Sequence, residues 1–268
     1  MKIKFFWTWA ALQPTIDNTY FLIEDWKNKL QVDASGWLKL AQMVKRWDIY
    51  FENIFISHSD TDHFLGIFNL FRVIPQIIPK LNIYCSSIIE SKIRTISKLV
   101  LRESLNKILF EKKINFIIND DLKIKEIWKF KITPLNINSK KTEQFGFLLK
   151  YNGIKILFFW DDSTNILERE DLNDFIWVDY FISEALVPEY QSINWWWNTD
   201  LEKFCHISAK QAWFIAEKIN AKNLILIHTR EIENRVIELK KDAKSVFNWN
   251  VIVPEDWDEI NLKKSIKN

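Results

Sequence analysis

At 268 residues, 48% hydrophobic and 27% charged, the chain has the composition of a soluble globular protein with ample material for a core. A formal net charge of +2 is no nucleic-acid footprint by itself, and no apolar stretch approaches the ~20 residues of a membrane span. Cys85 and Cys205 are too few for a disulfide framework, so a reducing, cytoplasmic location is expected.

The opening Met1-Lys2-Ile3-Lys4-Phe5-Phe6 reads as a strand rather than a secretion signal, because no long apolar region or small-residue cleavage site follows. Strands are predicted over residues 2–6, 19–24 and 29–33, then a helix over 38–46. The apolar run from Asn53 to Ser57 predicts a buried strand. Residues 62–73 predict a helix that stops before Pro75, since the residue preceding proline avoids helical backbone. A short strand over 81–85 leads into residues 91–113, which hold seven Lys and Arg against Glu103 and Glu111. Ile93, Ile96, Val100, Leu105 and Ile108 fall there at helical spacing, so an amphipathic surface helix is preferred to a phosphate-binding face. Further strands are predicted over 115–118, 129–135, 145–151 and 155–159. The chain then alternates: strand 180–183, helix 208–219, strand 223–227, helix 232–246, and strands near Val251 and Ile260. Two sheet-rich halves with flanking helices predict an α/β (α+β) fold, a four-layer αββα sandwich. With no low-complexity linker or short repeat, residues 1–268 are expected to form one domain.

The chain has 14 Trp and 4 Gly, whereas average usage near 7% would give roughly 19 Gly. The two counts together restore that expectation. Trp26, Trp47, Trp249 and Trp257 each stand between polar residues at apparent turns, where glycine supplies positive φ without steric cost. Trp195-Trp196-Trp197 reads naturally as a triple-glycine loop. The pattern predicts UGA codons that the source organism reads as glycine, as some bacteria do. The alternative is a tryptophan-rich surface for sugar or interface binding, but the tryptophans fit no periodic face.

His58-Ser59-Asp60-Thr61-Asp62-His63 follows the buried strand and precedes the helix of Phe64-Leu65-Gly66. Two imidazoles and two carboxylates on one turn are costly to bury unless a cation neutralises them, which points to a metal site. Asp33 is read as a turn or supporting carboxylate rather than a ligand, and Cys205 as a packed thiol.

These residues resemble the metallo-β-lactamase-fold hydrolases, whose signature is His-x-His-x-Asp-His at the end of a strand. With Gly for Trp7 and Trp9, residues 5–11 resemble the opening Phe-Leu-Gly-Thr-Gly of ribonuclease Z-like members. Val32-Asp33-Ala34-Ser35-Gly36 resembles the next family element. Phe158-Phe159-Trp160-Asp161-Asp162 resembles the segment that supplies the bridging carboxylate. Cys205-His206-Ile207-Ser208 and Ile227-His228-Thr229 resemble the late histidine motifs, so all four histidines fall in family motifs. Three departures stand out: Asp60 replaces the second motif histidine, Asn138 stands where another histidine is expected, and Ser183-Glu184-Ala185 replaces His-Glu-Ala.

The resemblance implies one metal position held by Asp62, His63, Asp161 and His228, a donor set suited to zinc. It implies a second at His58, Asp60, Asp161 and Asn138, weaker and suited to manganese or iron, because Asp and Asn offer harder oxygen donors. Asp62 would also orient the attacking water, and His206, held by Glu184, would stabilise or protonate the departing group. The expected function is metal-dependent hydrolysis of a small-molecule or nucleic-acid phosphodiester, with no membrane partner and a homodimer as the expected assembly. No tRNA-gripping arm is legible, which argues against tRNA 3′-end maturation. The alternatives are hydrolysis of another ester or thioester, or a metal-depleted, non-catalytic binding protein.

Overall fold

The computed structural model describes residues 1–10, 18–35, 38–139, 142–159, 175–189, 206–244 and 250–263. Among these, one sheet contains β1 (Lys2–Trp7), β2 (Tyr20–Glu24), β3 (Lys29–Val32), β4 (Asn53–Phe55), β5 (Leu81–Cys85), β6 (Ile114–Ile118) and β14 (Glu259–Asn261). The other contains β7 (Lys125–Ile127), β8 (Phe130–Asn136), β9 (Phe145–Tyr151), β10 (Ile154–Phe159), β11 (Tyr180–Glu184), β12 (Asn223–Ile227) and β13 (Asn250–Ile252). Their orders are β14-β1-β2-β3-β4-β5-β6 and β13-β12-β11-β10-β9-β8-β7. Strands β3 to β6 run parallel, as do β10 to β13.

Alternation along the strands builds three apolar layers. In β10, Ile156 and Phe158 enter the layer between the sheets, where Phe21, Phe55 and Phe147 meet them. Leu157 and Phe159 face the opposite way, toward α6 (Ala209–Lys218) and α7 (Arg235–Lys244). The outer face of the first sheet packs under α1 (Lys39–Lys45), α3 (Ile67–Ile77) and α4 (Ser87–Val100) through Leu40, Val44, Leu70, Ile74 and Ile93. Helix, sheet, sheet, helix is the predicted sandwich.

Three helical predictions need correction. The helix expected over 62–73 is two: α2 (Thr61–Phe64) and α3, broken at Leu65 and Gly66. A Cβ on Gly66 would lie 2.3 Å from the Ala34 carbonyl oxygen and 2.5 Å from that of Ser35, so only glycine lets this turn sit against the 33–35 loop. Helix α3 also runs through Pro75, because the buried Phe71 and Ile74 hold its last turn and the Ile78 N–H closes on the Ile74 carbonyl. The basic stretch is α4, then α5 (Glu103–Ile108) and a π turn over Leu109–Lys113. The break leaves Val100 and Ile108 exposed instead of on a continuous apolar face. The helix expected from 232 begins at Arg235, after Asn234 at φ 54°.

The backbone at several tryptophans is that of glycine. Trp47, Trp128, Trp177 and Trp257 have φ of 64°, 52°, 60° and 73°, and all four side chains are exposed. Trp47 ends α1 with its N–H on the Val44 carbonyl and the Asp48 N–H on the Met43 carbonyl, the paired closure that favours glycine. Trp128 forms the two-residue connection between β7 and β8. Trp213, by contrast, is buried within α6.

Candidate metal centre

The candidate residues gather at the carboxyl ends of parallel strands, where α/β sheets place ligands. Asp33 follows β3, His58 follows β4, Glu184 ends β11 and His228 follows β12. The two sheets are joined here by the Phe145 N–H on the Ser57 carbonyl at 2.9 Å. His228 has φ 56°, an uncommon backbone state for a non-glycine residue that turns the chain sharply after β12. The next residue is fixed by exchange with the first strand's loop: the Thr229 N–H bonds the Thr8 carbonyl and the Ala10 N–H the Thr229 carbonyl.

The donor atoms converge. Single ligand atoms of Asp62, His63 and His228 all lie within 4.8 Å of one another. Asp62 Oδ2 is 3.3 Å from His63 Nε2 and 4.0 Å from His228 Nε2. His58 Nε2 is 3.9 Å from Asp60 Oδ2, and its ring centroid is 4.0 Å from that of His63.

Every histidine is also gripped from behind through Nδ1. Buried Asp33 accepts from His63 Nδ1 at 2.9 Å, from the Ser57 N–H at 2.8 Å and from the Ser57 hydroxyl at 2.9 Å. Because the Ser57 proton goes to that carboxylate, its oxygen accepts from His58 Nδ1–H, also at 2.9 Å. Thr19 Oγ1 lies 3.4 Å from His228 Nδ1, and Glu184 Oε2 lies 2.7 Å from His206 Nδ1. Fixing Nδ1 on an oxygen partner turns Nε2 toward the centre as a donor, the usual support for a metal-binding imidazole.

The electrostatics favour positive charge at this spot. Burial opposes ionisation of Asp62, yet the fields of His63, His228 and His58 hold its carboxyl far below the usual carboxylate range. Burial likewise opposes charge on His63, but Asp62 and Asp33 on either side raise its pKa well above the ordinary imidazole value. Two buried imidazole nitrogens and a partly buried carboxylate oxygen form a donor set that fits a divalent cation, zinc included.

The remaining predicted residues fall as follows. Asp60 is partly exposed beside His58. Glu184 is fully buried and His206 is partly exposed. Asn138 sits in the exposed turn after β8 at φ 55°, its N–H on the Asn136 side chain, the geometry of a turn residue. Asp161 and Cys205 lie outside the described residues. Sequence reading missed Ser57 and Thr19 as supports, and only Ser57, adjacent to the first motif histidine, carried a signal.

No protein-family model matches the chain. It is 30% identical over 233 residues, 74% of either chain, to a ribonuclease Z of Picrophilus torridus. The chain belongs to the ribonuclease Z-like metallo-β-lactamase-fold hydrolases. The fold agrees with solved structures of that superfamily. The metallo-β-lactamase fold protein YhfI of Bacillus subtilis superposes with a TM-score of 0.73 at 18% identity, covering 97% of this chain and 98% of its own. The short form of human tRNase Z gives 0.72 at 19% identity, covering 98% and 100%. No helix among the described residues is long and apolar enough to cross a membrane.

Proposed function

We propose that the protein is a metal-dependent phosphodiesterase of the nuclease-like type, acting from a single domain. The observation that carries this reading is the convergence of Asp62, His63 and His228, each imidazole braced through Nδ1, in a ribonuclease Z relative. Asp62, His63 and His228, with Asp161, would hold the first cation, zinc by donor type. His58, Asp60 and Asp161 would hold a second, manganese or iron by their larger oxygen share, with Asn138 as the weakest donor. When bound, the cation would supply the charge that lowers the pKa of solvent toward ~7 and offsets the charge on a phosphoryl oxygen. Asp62 orients the attacking water through its second oxygen. His206 carries its proton on Nε2, steadied by Glu184 at Nδ1, and delivers it to the departing oxygen. Cytoplasmic location and a homodimer complete the reading.

Zinc-loaded protein is expected to hydrolyse bis(p-nitrophenyl) phosphate, with activity lost to a chelator and regained on adding zinc. Turnover of carboxylic or thioesters alone would favour the second hydrolase class. Neither metal nor turnover would make the chain a binding protein.

A further inference from the structure

The first sheet ends in β14 and β6, the second in β13 and β7. An outer strand presents a row of unpaired N–H and C=O groups, which proteins blunt by keeping the strand short or charged. Three of these edges follow that rule. β14 is three residues with Glu259, β7 is three residues with Lys125 and Glu126, and β13 is also three residues. β6 does not. Its five residues, Ile114-Asn115-Phe116-Ile117-Ile118, include no charge and no proline, and Asn115 to Ile118 are all half-buried.

Among the described residues no strand pairs with the far side of β6. On its near side β6 runs parallel to β5, and the Asn119 N–H bonds the Cys85 carbonyl. The backbone groups of the odd-numbered residues therefore turn to β5, and those of Phe116 and Ile118 turn outward. The Phe116 ring lies on the helical face of the sheet, stacked with its centroid 6.1 Å from that of Phe110 and with the Arg94 guanidinium 4.8 Å above it.

The flanks of the strand select its partner. Lys112 and Lys113 precede it, and Asp120 and Asp121 follow it. An identical strand laid antiparallel brings the basic end of one copy to the acidic end of the other. A parallel one sets like charge against like.

We propose that β6 is a homodimer interface, to which a second copy adds its own β6 antiparallel across a two-fold axis at Phe116. This rests on the homodimer reading above and gives it a surface. The axis pairs Phe116 with Phe116 of the partner subunit and Ile114 with the partner's Ile118, and it brings Lys112 to the partner's Asp120. In this register outward backbone groups meet outward groups. The Phe116 pair exchanges N–H and C=O, and the Ile118 N–H reaches the partner's Ile114 carbonyl, while the Ile114 N–H stays on the Leu109 carbonyl. Opposed aromatic rings and opposite charges stabilise such a pairing. An isologous contact also closes on itself, so the edge does not propagate into fibres. Strand direction reverses across the axis. The two metal turns, at carboxyl ends of parallel strands, therefore open on opposite sides of the dimer, and neither copy reaches the other's site. One strand pair is a small interface, so the dimer should exchange at micromolar concentration.

Sedimentation equilibrium of the full chain tests this, and the wild type is expected to dimerise reversibly. Lys112→Glu and Asp120→Lys each set like charges opposite one another at both ends and should weaken the dimer about tenfold or more. Mixed in equal amounts, these two variants should pair with each other at near wild-type strength, because each supplies the charge the other now needs. Ile118→Pro removes an outward N–H and leaves the ladder to β5 intact, a change that edge strands tolerate. It should give a monomer with a cooperative urea transition. A dimer of unchanged strength in Ile118→Pro and in both charge variants would overturn the proposal and leave a homodimer through another surface. Failure of the mixed variants to pair would overturn the antiparallel register and the proposal with it. A monomeric wild type would remove both this surface and the homodimer reading.

Discussion

Asp33→Ala is expected to weaken zinc binding about 10- to 100-fold and to destabilise the fold by about 3–5 kcal/mol. The carboxylate is fully buried and accepts three hydrogen bonds, from His63 Nδ1, the Ser57 N–H and the Ser57 hydroxyl. Its loss leaves buried donors without acceptors, each costing about 1–3 kcal/mol. It also frees the His63 ring to rotate away from the direction in which Nε2 faces Asp62. Through Ser57 the effect reaches His58. Asp33 has φ 58°, which asparagine tolerates better than alanine does. Asp33→Asn therefore separates the lost charge from backbone strain: it should lose most of the zinc affinity but less of the stability. Urea unfolding with and without zinc, together with a zinc titration, reads both effects. Wild-type zinc affinity in both variants would contradict the role assigned to Asp33.

Glycine at positions 47, 128, 177 and 257 is expected to stabilise the protein substantially. Each site holds an L-residue in left-handed backbone, a state costing about 1–2 kcal/mol. The four turns lie in separate parts of the chain, so the gains should add, to about 4–8 kcal/mol. Against a usual net stability of about 5–15 kcal/mol that is a large change. At about 2–4 °C per kcal/mol for a chain approaching this size, a rise in Tm of roughly 8–32 °C follows. Trp213→Gly is the contrasting control: it removes a buried ring from α6 and should destabilise a tryptophan-bearing chain. If the source organism reads UGA as glycine, tryptic peptides of the protein from its own cells will carry glycine at all these positions. Tryptophan in those peptides, or no gain in Tm from the four substitutions, would refute the recoding.

The metal turn was legible because its four chemistry-bearing residues lie within six positions, and because the chain has no histidine outside family motifs. The pairing of His206 with Glu184, twenty-two residues apart, was legible only through the resemblance, and the structure brings them to 2.7 Å. What the sequence hid has tertiary causes. Nothing local in residues 62–73 except Gly66 marks the break between α2 and α3, and the reason for it is the carbonyls of Ala34 and Ser35. Strand β7 is three residues long and exists through its hairpin with β8. Trp128 stands where a glycine would have announced that turn. Strand β14 depends on pairing with β1 across nearly the whole chain.

Asp62, His63 and His228 are placed to surround one cation. Diffraction from zinc-soaked crystals, recorded on both sides of the zinc absorption edge, tests it directly. An anomalous peak is expected in contact with a carboxylate oxygen of Asp62 and Nε2 of both histidines, lost in His63→Ala. A peak elsewhere, or none at this cluster at saturating zinc, would contradict it.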